Sequence, residues 1–387
     1  MDRAGKGVHR WTPLIDVPQA DLEDLIGRLN QTRWPRRWPL GEPWTAGTDF
    51  DELRRLTEHW GSQYDWRRHE REINRLASYW TIIAGQRIHF LRFDAETPDA
   101  PAVVLTNGWP STFFELVELA RRLAEPSRYG DTGMAFTVVV PSLPGFTFSD
   151  PAASSPPTTP THELWHRLMI RLGFETYFAH GGDLGSGITS RLAAAHPEAV
   201  RAIHVMSLGA PRSFDEDSLT PAEREHLAAG KAWLRTEGAY MHQHQTRPLT
   251  LAFGLSDSPV GLLSWILEKY YQWSDRRAGT PFSLADDFVL TQASLYWFTN
   301  TIGTSLRPYY EAPPPYEFVP VPTALALFPA DLLKPPREWA ERTHDIRRYT
   351  IFDSGGHFAP VETAPTLAAD IRQFFAGELV GAAADQT

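Results

Sequence analysis

Thr176-Tyr177-Phe178-Ala179-His180-Gly181-Gly182-Asp183-Leu184-Gly185 reads as an apolar strand running into a tight turn, with helical spacing following over Ile188 to Ala195. The turn has the form G-x-Nu-x-G, in which a strained strand-to-helix junction lifts a nucleophile above a sheet. Aspartate stands where serine is usual. A bulky neighbour at either flanking glycine would collide with the adjacent strand or helix, and the helix start supplies N–H groups for developing negative charge. Gly-Gly-Asp is also a common turn and aspartate a common helix cap. The apolar strand directly ahead of Asp183 favours the nucleophile.

Working outward, the apolar runs Ala102 to Leu105 and Ala135 to Val140 end in Gly/Pro-rich turns and are separated by the helical Phe113 to Leu123. Buried parallel strands with crossover helices have this appearance. Ala202 to Met206 is a further strand, and Ala324 to Phe328 and Arg348 to Phe352 complete the set before a C-terminal helix, Thr366 to Phe375. The rhythm predicts an α/β fold with a mostly parallel, doubly wound sheet. It breaks between Ala210 and Pro308, where helical spacing over Ala222 to Glu237, Pro259 to Trp273 and Leu284 to Thr304 points to an inserted helical lid. At the front, helices are expected over Gln19 to Leu29 (capped by Asp16, ended by Pro35 and Pro39), Asp49 to Tyr64 and Trp66 to Leu76. A hairpin around Ala84-Gly85 follows, over Tyr79 to Phe93. The expected division is an N-terminal arm and hairpin over 1–95, a first core half over 96–210, the lid over 211–310 and a second core half over 311–387, frayed after Gly377.

Composition removes several function classes. The net charge of -10 without a Lys/Arg run excludes a phosphate-tracking surface, so neither nucleic acid nor an anionic membrane is expected as partner. With no cysteine, disulfides, thiolate nucleophiles and cysteine-based metal sites are excluded. No stretch of 18 uncharged apolar residues occurs, and Met1 to Gly7 lacks a signal-peptide core; a soluble cytoplasmic protein is the expectation.

The partners of Asp183 lie at strand ends. Asn107-Gly108-Trp109-Pro110 follows the strand ending at Leu105, where the backbone N–H of Trp109 would serve as a second oxyanion donor beside that of Leu184. Of the 14 histidines, His357 alone sits on a glycine loop, Ser354-Gly355-Gly356-His357-Phe358, after the last strand and before the last helix. Its orienting acid belongs on the loop after the preceding strand, which selects Asp331, with Asp345 and Asp353 as alternatives. His196, His242 and His244 read as surface or packing residues. The order nucleophile, acid, base matches that of one hydrolase fold and differs from chymotrypsin and subtilisin. A carboxylate nucleophile suits attack on an sp3 carbon bearing a leaving oxygen or halogen, giving an alkyl ester open to a histidine-activated water.

From Thr12 to Phe375 the chain resembles the microsomal-type epoxide hydrolases of the α/β-hydrolase superfamily, including bacterial members used in natural-product biosynthesis. The likeness rests on Tyr64-Asp65-Trp66-Arg67, Gly108-Trp109-Pro110, Pro141 to Phe146, Gly181-Gly182-Asp183, Asp257 to Leu262 and Gly355 to Phe358. It implies Asp183 as nucleophile, His357 as base, Asp331 as orienting acid, and Tyr240 and Tyr309 as lid acids that protonate the epoxide oxygen, with Tyr310 as the alternative to Tyr309. It also implies a small-molecule epoxide and water as reactants, bulky polyketide- or enediyne-like epoxides among them, with neither metal nor cofactor. Asn107 replaces the family's usual histidine, and Leu184 its usual tryptophan. Haloalkane dehalogenases share the aspartate turn, but Leu184 lacks the ring N–H they use to hold halide. A non-catalytic ligand-binding relative is the other alternative, and a homo-oligomer stays open.

Overall fold

Runs of fully buried residues such as Ala102-Val103-Val104-Leu105-Thr106 form the middle of the molecule because helices cover both faces of the sheet they build. The computed structural model describes residues 7–38, 41–152, 158–276, 284–311 and 318–384. Its strands are β1 (Val8–Arg10), β2 (Ser78–Ile83), β3 (Gln86–Phe93), β4 (Ala102–Thr106), β5 (Thr137–Pro141), β6 (Tyr177–Gly181), β7 (Val200–Val205), β8 (Val319–Leu327) and β9 (His344–Ile351). They form one sheet in the order β1-β2-β3-β5-β4-β6-β7-β8-β9. The first three are antiparallel and the rest parallel, as the α/β reading requires.

Two registers place the site. Thr106 pairs with Gly181, so the loops after β4 and β6 leave the sheet side by side at its carboxyl edge. Here the chain, having gone from β4 outward to β5, crosses back to β6, and such a switch point opens a crevice. Beyond β8 and β9 an isolated parallel bridge joins Ala330 to Gly356, which brings the residues that follow, Asp331 and His357, to the same level.

Helices Val117–Ala124 and Ala364–Ala384 pack on one face, with Leu119, Leu123, Leu367, Ile371 and Phe375 in one buried cluster. Thr161–Arg171 and Leu184–Ala195 cover the other through Leu164, Trp165, Leu168 and Leu192. The helices between β7 and β8 extend that second cluster over the carboxyl edge of the sheet. The N-terminal arm clamps them: Trp60 donates its indole N–H to Ser294 at 3.0 Å, Tyr64 and Thr291 share a hydrogen bond of 2.9 Å, and Arg55 pairs with Asp286.

Several expected boundaries shift. Asp16 does not cap Gln19–Asn30; Pro18 holds the N-cap position, its ring fixing the backbone ahead of the first turn. Of the prolines expected to end that helix, Pro39 lies outside the described residues. The helix after Asp183 begins at Leu184, not Ile188, because small Gly185, Ser186 and Gly187 are tolerated where the turn meets the strand. Leu284 to Thr304 is not continuous: Asn300, at φ 51°, ends Asp286–Thr299, and Ile302–Ser305 and Arg307–Tyr310 follow. The C-terminal helix does not fray after Gly377 but continues to Ala384, anchored by half-buried Leu379. Residues 1–6, and 312–317 of the proline-rich segment ahead of β8, lie outside the described residues. No single helix among the described residues is long and apolar enough to cross a membrane; Pro248–Asp257 and Pro259–Trp273 reach that length and apolarity only as a pair bent by 118°.

Candidate active site

Asp183 sits between β6 and Leu184–Ala195 at φ 51° and ψ -126°, a conformation that non-glycine residues rarely adopt. Glycines make the position possible. A Cβ on Gly181 would strike the carbonyl of Gly185, one on Gly185 the carbonyl of Thr106, and one on Gly108 the carboxylate of Asp183 itself. This close approach lets the backbone N–H of Trp109 donate to Asp183 Oδ1 at 2.9 Å. Leu184 opens the following helix, so its N–H has no intrahelical acceptor. Its side chain is half-buried and packs on the core.

Opposite the other carboxylate oxygen, His357 Nε2 lies 3.4 Å from Asp183 Oδ2, while His357 Nδ1 is 2.7 Å from Asp331 Oδ1. Asp331 is fixed in turn by the Leu332 N–H at 2.7 Å. Of the three candidate acids, Asp331 meets His357; Asp345 instead pairs with Arg347 at 2.9 Å. Burial disfavours charge on the imidazole, but Asp331 and then Asp183 outweigh it and hold His357 protonated well above the ordinary histidine range.

Above this line stands an aromatic wall from the inserted helices. Tyr240, in Ala239–Thr246, is stacked on Trp109 with centroids 5.5 Å apart, and Tyr309 meets the same indole edge-on at 6.2 Å. The two phenols are hydrogen-bonded to one another, and burial first, then the charge of Asp183, raises both above the ordinary tyrosine value. Tyr309 is 8% exposed and Tyr310 is 62% exposed, so Tyr309, not its neighbour, belongs to the wall. His242 is exposed and His244 buried against Trp109, Tyr240 and Tyr309, as packing readings of them expect. Three buried polar atoms without a protein partner, Trp109 Nε1, Trp273 Nε1 and His244 Nδ1, belong to residues of this wall.

Residues 12–116 match the family model described as epoxide hydrolase N terminus, and residues 101–280 that described as alpha/beta hydrolase fold. A Stigmatella aurantiaca protein, named provisionally as an epoxide hydrolase, is 37% identical over 93% of this chain and 83% of its own. The chain belongs to the epoxide hydrolase family. Epoxide hydrolase 1 of Sus scrofa is 29% identical, covering 93% of this chain and 87% of its own, in line with the microsomal-type resemblance. The solved structure of Aspergillus niger epoxide hydrolase superposes with a TM-score of 0.83 at 31% identity, covering 97% of each chain.

Within this epoxide hydrolase fold, two charged groups beside the site were not singled out from the sequence. Lys269, on Pro259–Trp273, places its ammonium 4.4 Å over the Tyr240 ring, paired with Glu268. Glu115, in the short helical turn Phe113–Leu116, is 7% exposed and lines a small cavity with Asp183 and His357. Its one trace in the sequence is an acid inside the otherwise apolar Phe113-Phe114-Glu115-Leu116, which by itself reads as a solvated edge. Asn107 donates its amide N–H groups to the carbonyls of Gly108 and Ser111, at 3.0 and 2.9 Å, and so braces the loop that carries Trp109.

Proposed function

We propose that the chain hydrolyses an epoxide to a vicinal diol through a covalent ester of Asp183. The observation that carries this reading is the continuous line from the Trp109 N–H through Asp183 and His357 to Asp331, facing two buried phenols. In the first step Asp183 Oδ2 attacks an epoxide carbon, the carbon–oxygen bond breaks, and a lid tyrosine, Tyr240 or Tyr309, gives its proton to the departing oxygen. The phenolate regains a proton from the His357 imidazolium. That transfer is favoured because the ester no longer carries the Asp183 charge that helped keep His357 protonated.

In the second step water attacks the ester carbonyl carbon and gives one proton to the now neutral His357. The N–H groups of Trp109 and Leu184 face the resulting oxyanion, a role worth about 2.7–4 kcal/mol per donor in related chemistry. Collapse breaks the bond between the carbonyl carbon and the alkyl oxygen. His357 protonates that oxygen, the diol leaves, and the second water proton passes from the Asp183 carboxyl to His357. Asp183 carboxylate and His357 imidazolium are restored, with one water consumed per diol formed.

The expected result is conversion of styrene oxide to its diol with no added metal or cofactor and with a chelator present, and no conversion by Asp183→Ala. Chromatography of the diol reads both. Turnover abolished by the chelator, or persisting in Asp183→Ala, contradicts the reading.

A further inference from the structure

The ester step needs a water on the carbonyl carbon of Asp183, and the tyrosine side of that carboxylate is where the epoxide must sit. A small cavity, with room for about one water molecule, lies against Asp183 elsewhere. Glu115, Ser111, Asp183 and His357 line it, and Tyr240 and Tyr309 do not. It is therefore bounded by the electrophile, the base and one further acid that the two-step reading leaves without a task.

We infer that Glu115 is a catalytic residue that holds the attacking water, accepting a hydrogen bond from one water hydrogen while His357 Nε2 takes the other as a proton. The inference rests on the reading of Asp183 and His357 given above. Glu115 is placed by the turn Phe113–Leu116, whose start is fixed by Thr112: its hydroxyl accepts from the Phe114 N–H at 3.2 Å and its own N–H donates to Gln292 at 3.0 Å. The Ser111 hydroxyl bonds the carboxylate and also lies 3.2 Å from the Tyr270 hydroxyl, so the acid is held on the cavity side. A carboxyl this buried is expensive to ionise unless charge is exchanged nearby. Burial pushes Glu115 up to about 7, His357 and Ser111 pull it down, and Asp183 and Glu362 push it up. Tyr270 and Tyr296, from the inserted helices, are the other titratable groups close to it. Once Asp183 is a neutral ester and His357 has given up its proton, the repulsion of the one and the attraction of the other are both gone, and Glu115, held by Ser111, still offers the water an acceptor oxygen. No proton is gained or lost by Glu115 over the cycle: the new bond is between water oxygen and the Asp183 carbonyl carbon, the proton goes to His357, and the alkyl oxygen leaves.

Rapid-quench mass spectrometry of the intact chain, mixed with styrene oxide in single turnovers across a pH series, separates ester formation from ester breakdown. Glu115→Gln, nearly the same in shape, is expected to form the ester within about twofold of the wild-type rate and to break it down about 10–100-fold more slowly. The breakdown profile should lose one ionisation that the wild type has. Ser111→Ala removes one hydroxyl from the same cavity and should slow breakdown in the same sense, which provides the reading should Glu115→Gln not fold. Breakdown at the wild-type rate in these variants overturns the assignment while leaving the ester mechanism standing. Equal loss of both steps assigns Glu115 a purely structural role and also overturns it. Absence of any ester in the wild type contradicts the two-step reading itself, and this inference with it.

Discussion

Replacing His357 by glutamine is expected to stop the reaction half-way, with the whole chain converted to a species heavier by one intact epoxide. The argument starts from geometry. Asp183 Oδ1 is held by the Trp109 N–H at 2.9 Å in a strained turn that other contacts maintain, so its capacity to attack carbon does not depend on the imidazole. His357 lies 3.4 Å from Oδ2 and is tied to Asp331 at 2.7 Å, and in the proposed second step it takes a proton from water. Removing a general base of this kind slows its step by about 10²–10⁴-fold. Intact-mass measurement after mixing with styrene oxide should therefore show near-complete adduct in His357→Gln, mapped by peptide digestion to the segment holding Asp183, and no adduct in Asp183→Ala. Failure of the adduct to build up in His357→Gln while diol still forms would remove His357 from the second step.

The second large effect concerns the phenols. Tyr240 and Tyr309 are buried, hydrogen-bonded to one another and packed on Trp109, so exchange of both for phenylalanine keeps the ring contacts and removes the acids. An alkoxide is a poor leaving group at neutral pH, and the loss of protonation should slow ester formation by about 10²–10⁴-fold. Each single variant should fall less, since the remaining phenol can still donate. Stopped-flow measurement of the alkylation step decides this, with thermal unfolding as the control for fold. An unchanged alkylation rate in the double variant rules the pair out as the acid. Lys269 lies with its cation over the Tyr240 ring, where on the proposed mechanism it would favour the phenolate left behind.

The elements that could be read from the sequence were those whose pattern is local. The buried strands β4 to β7 are short apolar runs, and Gly181 to Gly185 carries its own steric logic, so the sheet and the position of Asp183 followed from neighbours in the chain. The assembly of Asp331 with His357 depends on the register of β8 against β9 and on the Ala330–Gly356 bridge, which no sequence spacing encodes. Asp345 and Asp353 therefore remained open until the 2.7 Å contact of Asp331 was visible. Short inserted helices such as Ala239–Thr246 lack a clear apolar stripe, since their aromatic residues face a site as well as a core, and they were missed as separate elements. Thr161–Arg171 was missed despite its signal, with Leu164, Trp165 and Leu168 at helical spacing. Glu115 was hidden for a different reason: a single acid in an apolar turn looks like a solvated edge until the fold buries it beside Asp183.

A single turnover in heavy-oxygen water, with enzyme in excess over styrene oxide, tests the covalent mechanism most directly. If Asp183 supplies the new hydroxyl oxygen and water repairs the carboxylate, the first diol formed should be almost wholly unlabelled, and the peptide containing Asp183 should gain one heavy oxygen. Diol that is fully labelled in the first turnover, with an unlabelled Asp183 peptide, would mean that water attacks the epoxide directly and would contradict the account.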